Sequence, residues 1–186
     1  MNTDVLLFAL GSAALAWLSR KPLRAPGSHG FYRFFVWEGI LFLLVLNRET
    51  WGSGSVAPHA LASWVLMLSS ILMVSLGLLT LRFKGAVDAQ RDEGGAGLYE
   101  FEKTTTLVTT GVFGYIRHPM YTSLLLLTWG VFFQLPSLTG LVAGLVTTCL
   151  LVPTVRADER ECAAYFGESA YDDYRRRTKM FIPFVF

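Results

Sequence analysis

The sequence has few charged residues for its length. Aspartate, glutamate, lysine and arginine make up only 16% of the 186 residues, whereas 53% are hydrophobic and the mean hydropathy is +0.45. A soluble domain of this size normally carries a larger share of charged residues on its surface. The composition therefore argues against an ordinary soluble domain and indicates an integral membrane protein.

The residue patterns that commonly hold metals and phosphates are missing. The two cysteines, Cys149 and Cys162, form no CxxC pair, and the three histidines form no HExxH pair. This argues against the common zinc sites and against a disulfide framework. The sequence also has no GxGxxG or P-loop pattern, so it does not support a Rossmann nucleotide site or phosphoryl transfer. We expect neither a metal nor a nucleic-acid partner.

Long apolar runs are the most prominent feature of the sequence. Five runs predict five transmembrane helices, although several are shorter than the ~20 residues that a spanning helix usually needs. The runs comprise residues 5–18, 31–46, 60–81, 120–135 and 138–155. The segment "LPSLTG" (135–140) predicts a tight turn between the last two runs. We therefore expect an all-α membrane bundle in one domain, residues 1–186, with three helices in residues 1–81.

Almost all of the basic residues lie in three segments. Residues 20–33, 82–117 and 156–179 contain fifteen of the sixteen lysines and arginines, and only Arg48 lies on the opposite side of the predicted bundle. Basic residues mark the cytoplasmic side of a membrane protein. We therefore expect the N-terminus outside and the C-terminus in the cytoplasm, in a membrane such as the bacterial inner membrane.

The tail after the fifth run predicts two short helices. The first, "DERECAAYF" (158–166), ends at Gly167, a residue typical of helix ends. The second begins at "SAYD" (169–172), which has the form of a capping box, and continues to Lys179 before Pro183 ends regular structure. The aromatic residues of the tail are of a type common at membrane interfaces. They are Tyr165, Phe166, Tyr171 and Tyr174.

An arginine and a histidine lie side by side where the fourth run begins, in "RHPMY" (117–121). One interpretation is general: Arg117 and His118 supply cytoplasmic charge, Pro119 starts a helix, and Tyr121 belongs to an aromatic belt. The other is functional: a helix N-terminus with free N–H groups favours an anionic group, while His118 and Tyr121 add donors and stacking surface. The irregular segment before it (102–114) is either a surface loop or a backbone that follows a ligand, with Gly111 and Gly114 allowing close approach or positive φ.

Three acidic residues are further candidates. Asp158 and Glu159 follow the fifth run and either form helical charge pairs, such as Arg156 with Glu159, or accept hydrogen bonds beside a cation such as a sulfonium. Glu38 lies inside the second run, where an ionisable group is costly and is a functional-site candidate by default. Its alternatives are a partner such as Arg33, or a protonated, hydrogen-bonded acid.

Taken together, the segments over residues 98–184 resemble the isoprenylcysteine carboxyl methyltransferase and phospholipid methyltransferase superfamily. The shared pattern is RHPxY, then a carboxylate pair after the next membrane hairpin, then a Phe-Gly followed by two spaced tyrosines and a basic stretch ending in Ile-Pro. The first gap before the tyrosines is one residue longer here. Phe113 stands where the family usually has tyrosine, and Asp158 stands where glutamate is usual.

The resemblance implies an enzyme that uses S-adenosylmethionine in a cytoplasmic pocket formed by residues 82–186, the membrane hairpin and tail. Arg117, Arg156 and Glu38 are the candidates for roles in catalysis. The residues implied to bind the cofactor are Thr105, Thr106, Leu107, Val108, Gly111, Phe113, His118, Pro119, Tyr121, Asp158 and Glu159.

The reaction implied is methyl transfer to a lipophilic or membrane-embedded acceptor, with membrane lipids around the protein. In-line displacement at a sulfonium depends mainly on positioning and on the exclusion of water. Two other functions stay open. One is a membrane reductase using NADPH, with residues 175–177 at the 2′-phosphate. The other is a non-enzymatic scaffold, which would tolerate His118→Ala. The residues do not identify the acceptor.

Overall fold

The computed structural model describes residues 3–51, 56–86 and 103–181. The predicted end of regular structure at Pro183 and residues 87–102 of the second basic segment lie outside these ranges. The helices are α1 (Thr3–Leu18), α2 (His29–Leu46), α3 (Pro58–Lys84), α4 (Pro119–Phe132), α5 (Leu138–Phe166) and α6 (Glu168–Arg177), with 3₁₀ turns at Pro22–Arg24, Arg48–Thr50 and Gly111–Gly114. The predicted all-α fold is confirmed, because the described residues contain no β-strand and only an isolated parallel bridge between Ile116 and Lys179.

Each of the five predicted apolar runs forms a helix. By length and composition, α2, α3 and α5 can cross a membrane, with 18, 27 and 29 residues. The apolar helices α1 and α4 are shorter, with 16 and 14 residues. A helix rises 1.5 Å per residue, so about 20 residues cross the ~30 Å hydrocarbon core. Crossing by α1 and α4 therefore stays a prediction.

The local signals at helix ends account for most of the boundaries. Pro119 occupies the first turn of α4, as the sequence predicts. The turn between α4 and α5 is also confirmed, and the Ser137 hydroxyl caps α5 by accepting a hydrogen bond from the N–H of Gly140 at 3.1 Å. Gly167 ends α5 with a φ of 95°, a conformation that favours glycine.

The predictions for the tail are wrong in two respects. The helix predicted to begin at Asp158 is the end of α5, which continues without interruption past Pro153 to Phe166. Membrane helices tolerate an internal proline because neighbouring groups satisfy the backbone. The following helix begins at Glu168 without a side-chain cap, rather than at the predicted capping box of Ser169, and it ends at Arg177 instead of Lys179.

Polar contacts between helices fix the positions of α3 and α4. The Ser63 hydroxyl of α3 donates to the Gly130 carbonyl at 2.6 Å, and the Ser70 hydroxyl donates to the Ser123 carbonyl at 2.7 Å. Small polar residues of this kind allow membrane helices to approach closely. The apolar core between α2, α4, α5 and the tail consists of Val36, Ile40, Tyr121, Leu124, Leu151, Val155 and Phe181.

The close approach of α3 and α4 predicts a specific sensitivity to glycine substitution. A Cβ on Gly130 would lie 2.8 Å from Met67 Cγ and 3.2 Å from the Met67 backbone nitrogen, whereas one on Gly144 in α5 would meet its nearest atoms at 3.9 Å. Gly130→Ala should lower the free energy of unfolding in detergent by about 1–3 kcal/mol, the usual range for overpacking. The control Gly144→Ala should not lower it, since alanine favours helix. Equal losses in both variants would contradict this account.

Candidate functional site

The start of α4 is held in place by the tail that follows α6. The backbone N–H of Arg117 donates to the Lys179 carbonyl at 2.7 Å, and that of His118 donates to the Met180 carbonyl at 3.3 Å. In return, the N–H of Lys179 donates to the Tyr115 carbonyl at 3.2 Å. Both N–H groups precede Pro119, the first residue of α4, so the tail fixes the chain that leads into the helix.

Arg117 connects this start to α5. Its Nε lies 2.9 Å from Glu159 Oε1, and only 9% and 8% of the two side chains are exposed. Its Nη1 also donates to the backbone carbonyls of Thr178 and, at 3.2 Å, Arg175. The donors of Arg117 thus hold the loop before α4, the end of α5 and the tail in one geometry.

His118 lies between the two predicted carboxylates. Its Nδ1 is 3.2 Å from Asp158 Oδ2 and its Nε2 is 3.3 Å from Glu159 Oε1, and the residue is buried. Burial alone would lower the pKa of His118, but hydrogen bonds to the two carboxylates raise it above its ordinary value of 6.5. The site therefore favours a positively charged imidazolium. The alternative that pairs Glu159 with Arg156 is wrong, because Glu159 faces Arg117, His118 and Arg175 while Arg156 is exposed.

A cavity of about 680 Å³ adjoins this cluster. Its polar wall comes from the ends of α2, α4 and α5 and includes Arg33, His118, Asp158 and Glu161. Its apolar wall comes from further turns of α3 and α4 and includes Ile71, Val74, Leu81, Leu124 and Leu127. Ligand sites in proteins typically have this size and this mixture of apolar surface with a few placed polar groups.

The structure brings eight of the predicted site residues into the cavity wall. They are Leu107, Val108, Phe113, Arg117, His118, Pro119, Tyr121 and Asp158. Thr105 and Thr106 are exposed and lie outside the wall, and Glu159 lies behind His118 rather than in the lining. Gly111 is not in the lining either, and its φ of 64° matches one of the two alternatives that the sequence left open for it, a positive φ.

Glu38 and Arg156 lie apart from this cavity, and their catalytic roles stay predictions. Glu38 borders a separate groove between α1, α2 and α5. One of its oxygens accepts a hydrogen bond from the Ser12 hydroxyl at 2.6 Å, so the observed partner is Ser12 rather than the Arg33 considered from the sequence. Arg156 is exposed on α5.

Several residues of the cavity wall were not predicted from the sequence. Glu161, Cys162 and Tyr165 line it together with Asp158, and the helical spacing of i, i+3, i+4 and i+7 could have identified them. The expectation of a membrane-interface role is wrong for two of the aromatic residues, since Tyr171 and Tyr174 are 2% and 3% exposed and line the cavity. They are buried because α6 folds back on α5. Arg33 and Trp37 were also missed as lining residues.

The burial of the Arg117–Glu159 pair predicts a large effect on stability. Arg117→Met leaves Glu159 without its closest charge partner, and breaking a buried pair typically costs about 3–5 kcal/mol. The matched control is Arg176→Met, because Arg176 pairs with Asp173 while its side chain is 72% exposed. That change should cost no more than about 1 kcal/mol. Denaturant unfolding in detergent measures the free energy of unfolding of both variants. Equal small decreases in the two variants would contradict the anchoring role of Arg117.

The raised pKa of His118 predicts a pH-dependent contribution to stability. Because the folded protein binds this proton more tightly than the unfolded chain, the stabilisation is fully present below pH 6.5. It is lost as the pH rises through the higher folded-state pKa. The unfolding temperature of the wild type should therefore exceed that of His118→Gln most at acidic pH, with the gap closing at alkaline pH. A gap that widens with pH would contradict the imidazolium assignment.

The chain is similar to known proteins over part of its length. Residues 61–168 match the family described as phospholipid methyltransferase. The chain is 33% identical over 91 residues to a methanethiol S-methyltransferase from Crocosphaera subtropica, an alignment that covers 47% of this chain and 34% of that protein. It is 34% identical over 73 residues to methanethiol S-methyltransferase 2 from Bradyrhizobium diazoefficiens, covering 38% of this chain and 26% of that protein.

A third relative matches over a longer stretch. The chain is 29% identical over 140 residues to the nickel-cobalt-cadmium resistance protein NccN of Alcaligenes xylosoxydans xylosoxydans, covering 67% of this chain and 65% of that protein. The chain thus spans between about a quarter and two thirds of the length of these curated relatives. No solved structure matches it. The match to the family extends over more than half of the chain, so the resemblance inferred from the motifs is confirmed and the chain belongs to the phospholipid methyltransferase family of membrane methyltransferases.

Proposed function

We propose that this protein transfers a methyl group from S-adenosylmethionine to a small lipophilic acceptor at the cytoplasmic membrane face. The observation that carries the proposal is one continuous cavity with two kinds of wall. Carboxylate, imidazole and guanidinium groups line one side, and aliphatic side chains of membrane helices line the other. Such a cavity suits a charged water-soluble donor beside an apolar acceptor.

The residues present fit S-adenosylmethionine. Asp158 offers a carboxylate for the ammonium or sulfonium charge, and His118 fixes that carboxylate by facing it at 3.2 Å. Phe113, Tyr121 and Tyr171 supply aromatic surface in the same wall. The volume of about 680 Å³ lies within the range of roughly 300–1,000 Å³ that small-molecule sites occupy. When bound, the cofactor would supply an electrophilic methyl group on a positively charged sulfur.

The contribution of the protein to such a reaction is mainly positional. Arg117 and Glu159 hold the loop before α4 against α5, so the cavity wall is preorganised. The aliphatic side chains of α3 and α4 exclude water from the acceptor side, which favours a reaction that disperses charge. Arg117 therefore acts as a positioning residue in this proposal.

A small thiol is the acceptor we propose first. Two relatives are named methanethiol S-methyltransferases, and the apolar wall of α3 and α4 suits a small nonpolar molecule. The topology in this proposal follows the basic residues, with the N-terminus outside and the cluster around His118 on the cytoplasmic side of the bacterial inner membrane.

Calorimetric binding of S-adenosylmethionine to the detergent-purified protein tests the cofactor. We expect the wild type to bind, and Asp158→Asn to bind about 10-fold more weakly or worse, because a charge-assisted contact is worth about 1.5–3 kcal/mol. The control is Asp172→Asn, an acid on α6 that is 57% exposed and outside the cavity wall.

Methyl incorporation tests the acceptor. Radiolabelled S-adenosylmethionine should methylate methanethiol in the presence of the wild type, with a lower rate for Asp158→Asn. Binding of NADPH in place of S-adenosylmethionine would support the reductase alternative, and binding of neither would support the scaffold.

A further inference from the structure

Arg33 is a buried basic residue of the cavity wall that lies outside the family match. The match begins at residue 61, whereas Arg33 is part of α2. Only 6% of the residue is exposed, and it lines the cavity together with Trp37, one helical turn further along. The side of α2 that faces α5 thus contributes a guanidinium group to the cavity wall. This group lies outside the region that the family match covers.

The position of α2 at this wall is fixed by two hydrogen bonds between His29 and Glu161 of α5. His29 Nδ1 lies 2.5 Å from Glu161 Oε2 of α5, and the His29 backbone N–H donates to the other Glu161 oxygen at 2.8 Å. His29 and Arg33 are four residues apart, so they lie on the same face of α2. Arg33 and Asp158 both line the cavity.

The cavity therefore has a cation from α2 and a carboxylate from α5 at the same polar wall. The same wall also contains Arg117 and His118, whose side chains lie within 3.3 Å of the carboxylates of Glu159 and Asp158. An arginine fork matches a carboxylate in shape as well as in charge. An amino-acid group, with one ammonium and one carboxylate, is the ligand chemistry that complements such a wall.

We propose that Arg33 binds the carboxylate of the amino-acid end of S-adenosylmethionine, while Asp158 faces its ammonium group. This assignment rests on the proposed function, since it requires that the cavity holds this cofactor. It makes α2 a part of the cofactor site. It also predicts that the contribution of the ligand carboxylate to the binding free energy depends on the side chain at position 33.

A binding cycle that varies both partners tests this dependence. Affinities of S-adenosylmethionine and of decarboxylated S-adenosylmethionine are measured by calorimetry for the wild type, Arg33→Met and Arg33→Lys. The control is Arg24→Met, because Arg24 is exposed and outside the cavity wall. We expect Arg33→Met to bind S-adenosylmethionine about 10- to 100-fold more weakly, the range for a charge-assisted contact.

The decarboxylated ligand supplies the decisive comparison. The wild type should bind it about 10- to 100-fold more weakly than S-adenosylmethionine, and Arg33→Met should cause little further loss. The wild-type comparison requires no variant, so it stands even if Arg33→Met fails to fold. Arg33→Lys should retain part of the affinity, because it keeps the charge but not the fork.

Three outcomes would overturn the assignment. Equal losses of both ligands in Arg33→Met would show a structural role. Unchanged binding of S-adenosylmethionine with a raised KM for the acceptor would place the anionic group on the acceptor. Equal affinities of the wild type for S-adenosylmethionine and for the decarboxylated ligand would also overturn it. A wild type that binds neither ligand would instead reject the proposed function, so the two failures are distinguishable.

Discussion

The buried ion pair between Arg117 and Glu159 is the constraint on which the candidate site depends. Removing two charges from water costs more than their attraction returns unless further hydrogen bonds satisfy the same groups. Here the backbone carbonyls of Thr178 and Arg175 accept from Arg117, and His118 faces Glu159 at 3.3 Å. These groups come from three parts of the chain: residues 117–118, the end of α5, and residues 175–178. The cavity walls can meet only where all three are in place, so the network specifies the geometry of the site.

Adjacent acidic residues take different roles because of helix geometry. Successive side chains of a helix point about 100° apart, so Asp158 and Glu159 cannot face the same surface. Asp158 lines the cavity, whereas Glu159 lies behind it against Arg117. His118 contacts both and so transmits the position of the anchored carboxylate to the cavity-facing one. Glu159 therefore has a structural role, whereas Asp158 faces the cavity. The sequence alone does not indicate this difference, because the two acidic residues are adjacent and similar.

The parts of the structure that could be predicted are those with local causes. Apolar runs long enough to be helices, Pro119 in a first turn and Gly167 at a positive φ follow from hydropathy and backbone sterics alone. The continuation of α5 through "RADERE" could not be predicted, because packing against α2 and α6 overrides a break suggested by the charges. The burial of Tyr171 and Tyr174 also depends on contacts between distant parts of the chain, since the hydroxyl of Tyr174 donates to the Phe113 carbonyl 61 residues away.

The contribution of α2 explains why motif matching describes only part of the site. The motifs identify α4, α5 and the tail, and the family match begins within α3. Yet the His29–Glu161 pair joins residues 132 positions apart and brings Arg33 to the polar wall. A pair of this kind has no local signature, because its two partners belong to different helices and neither has an unusual sequence neighbourhood. The charge of the cavity is therefore set by the fold as a whole: α5 supplies the carboxylates, α2 supplies a cation, and the apolar helices α3 and α4 supply the apolar surface beside them.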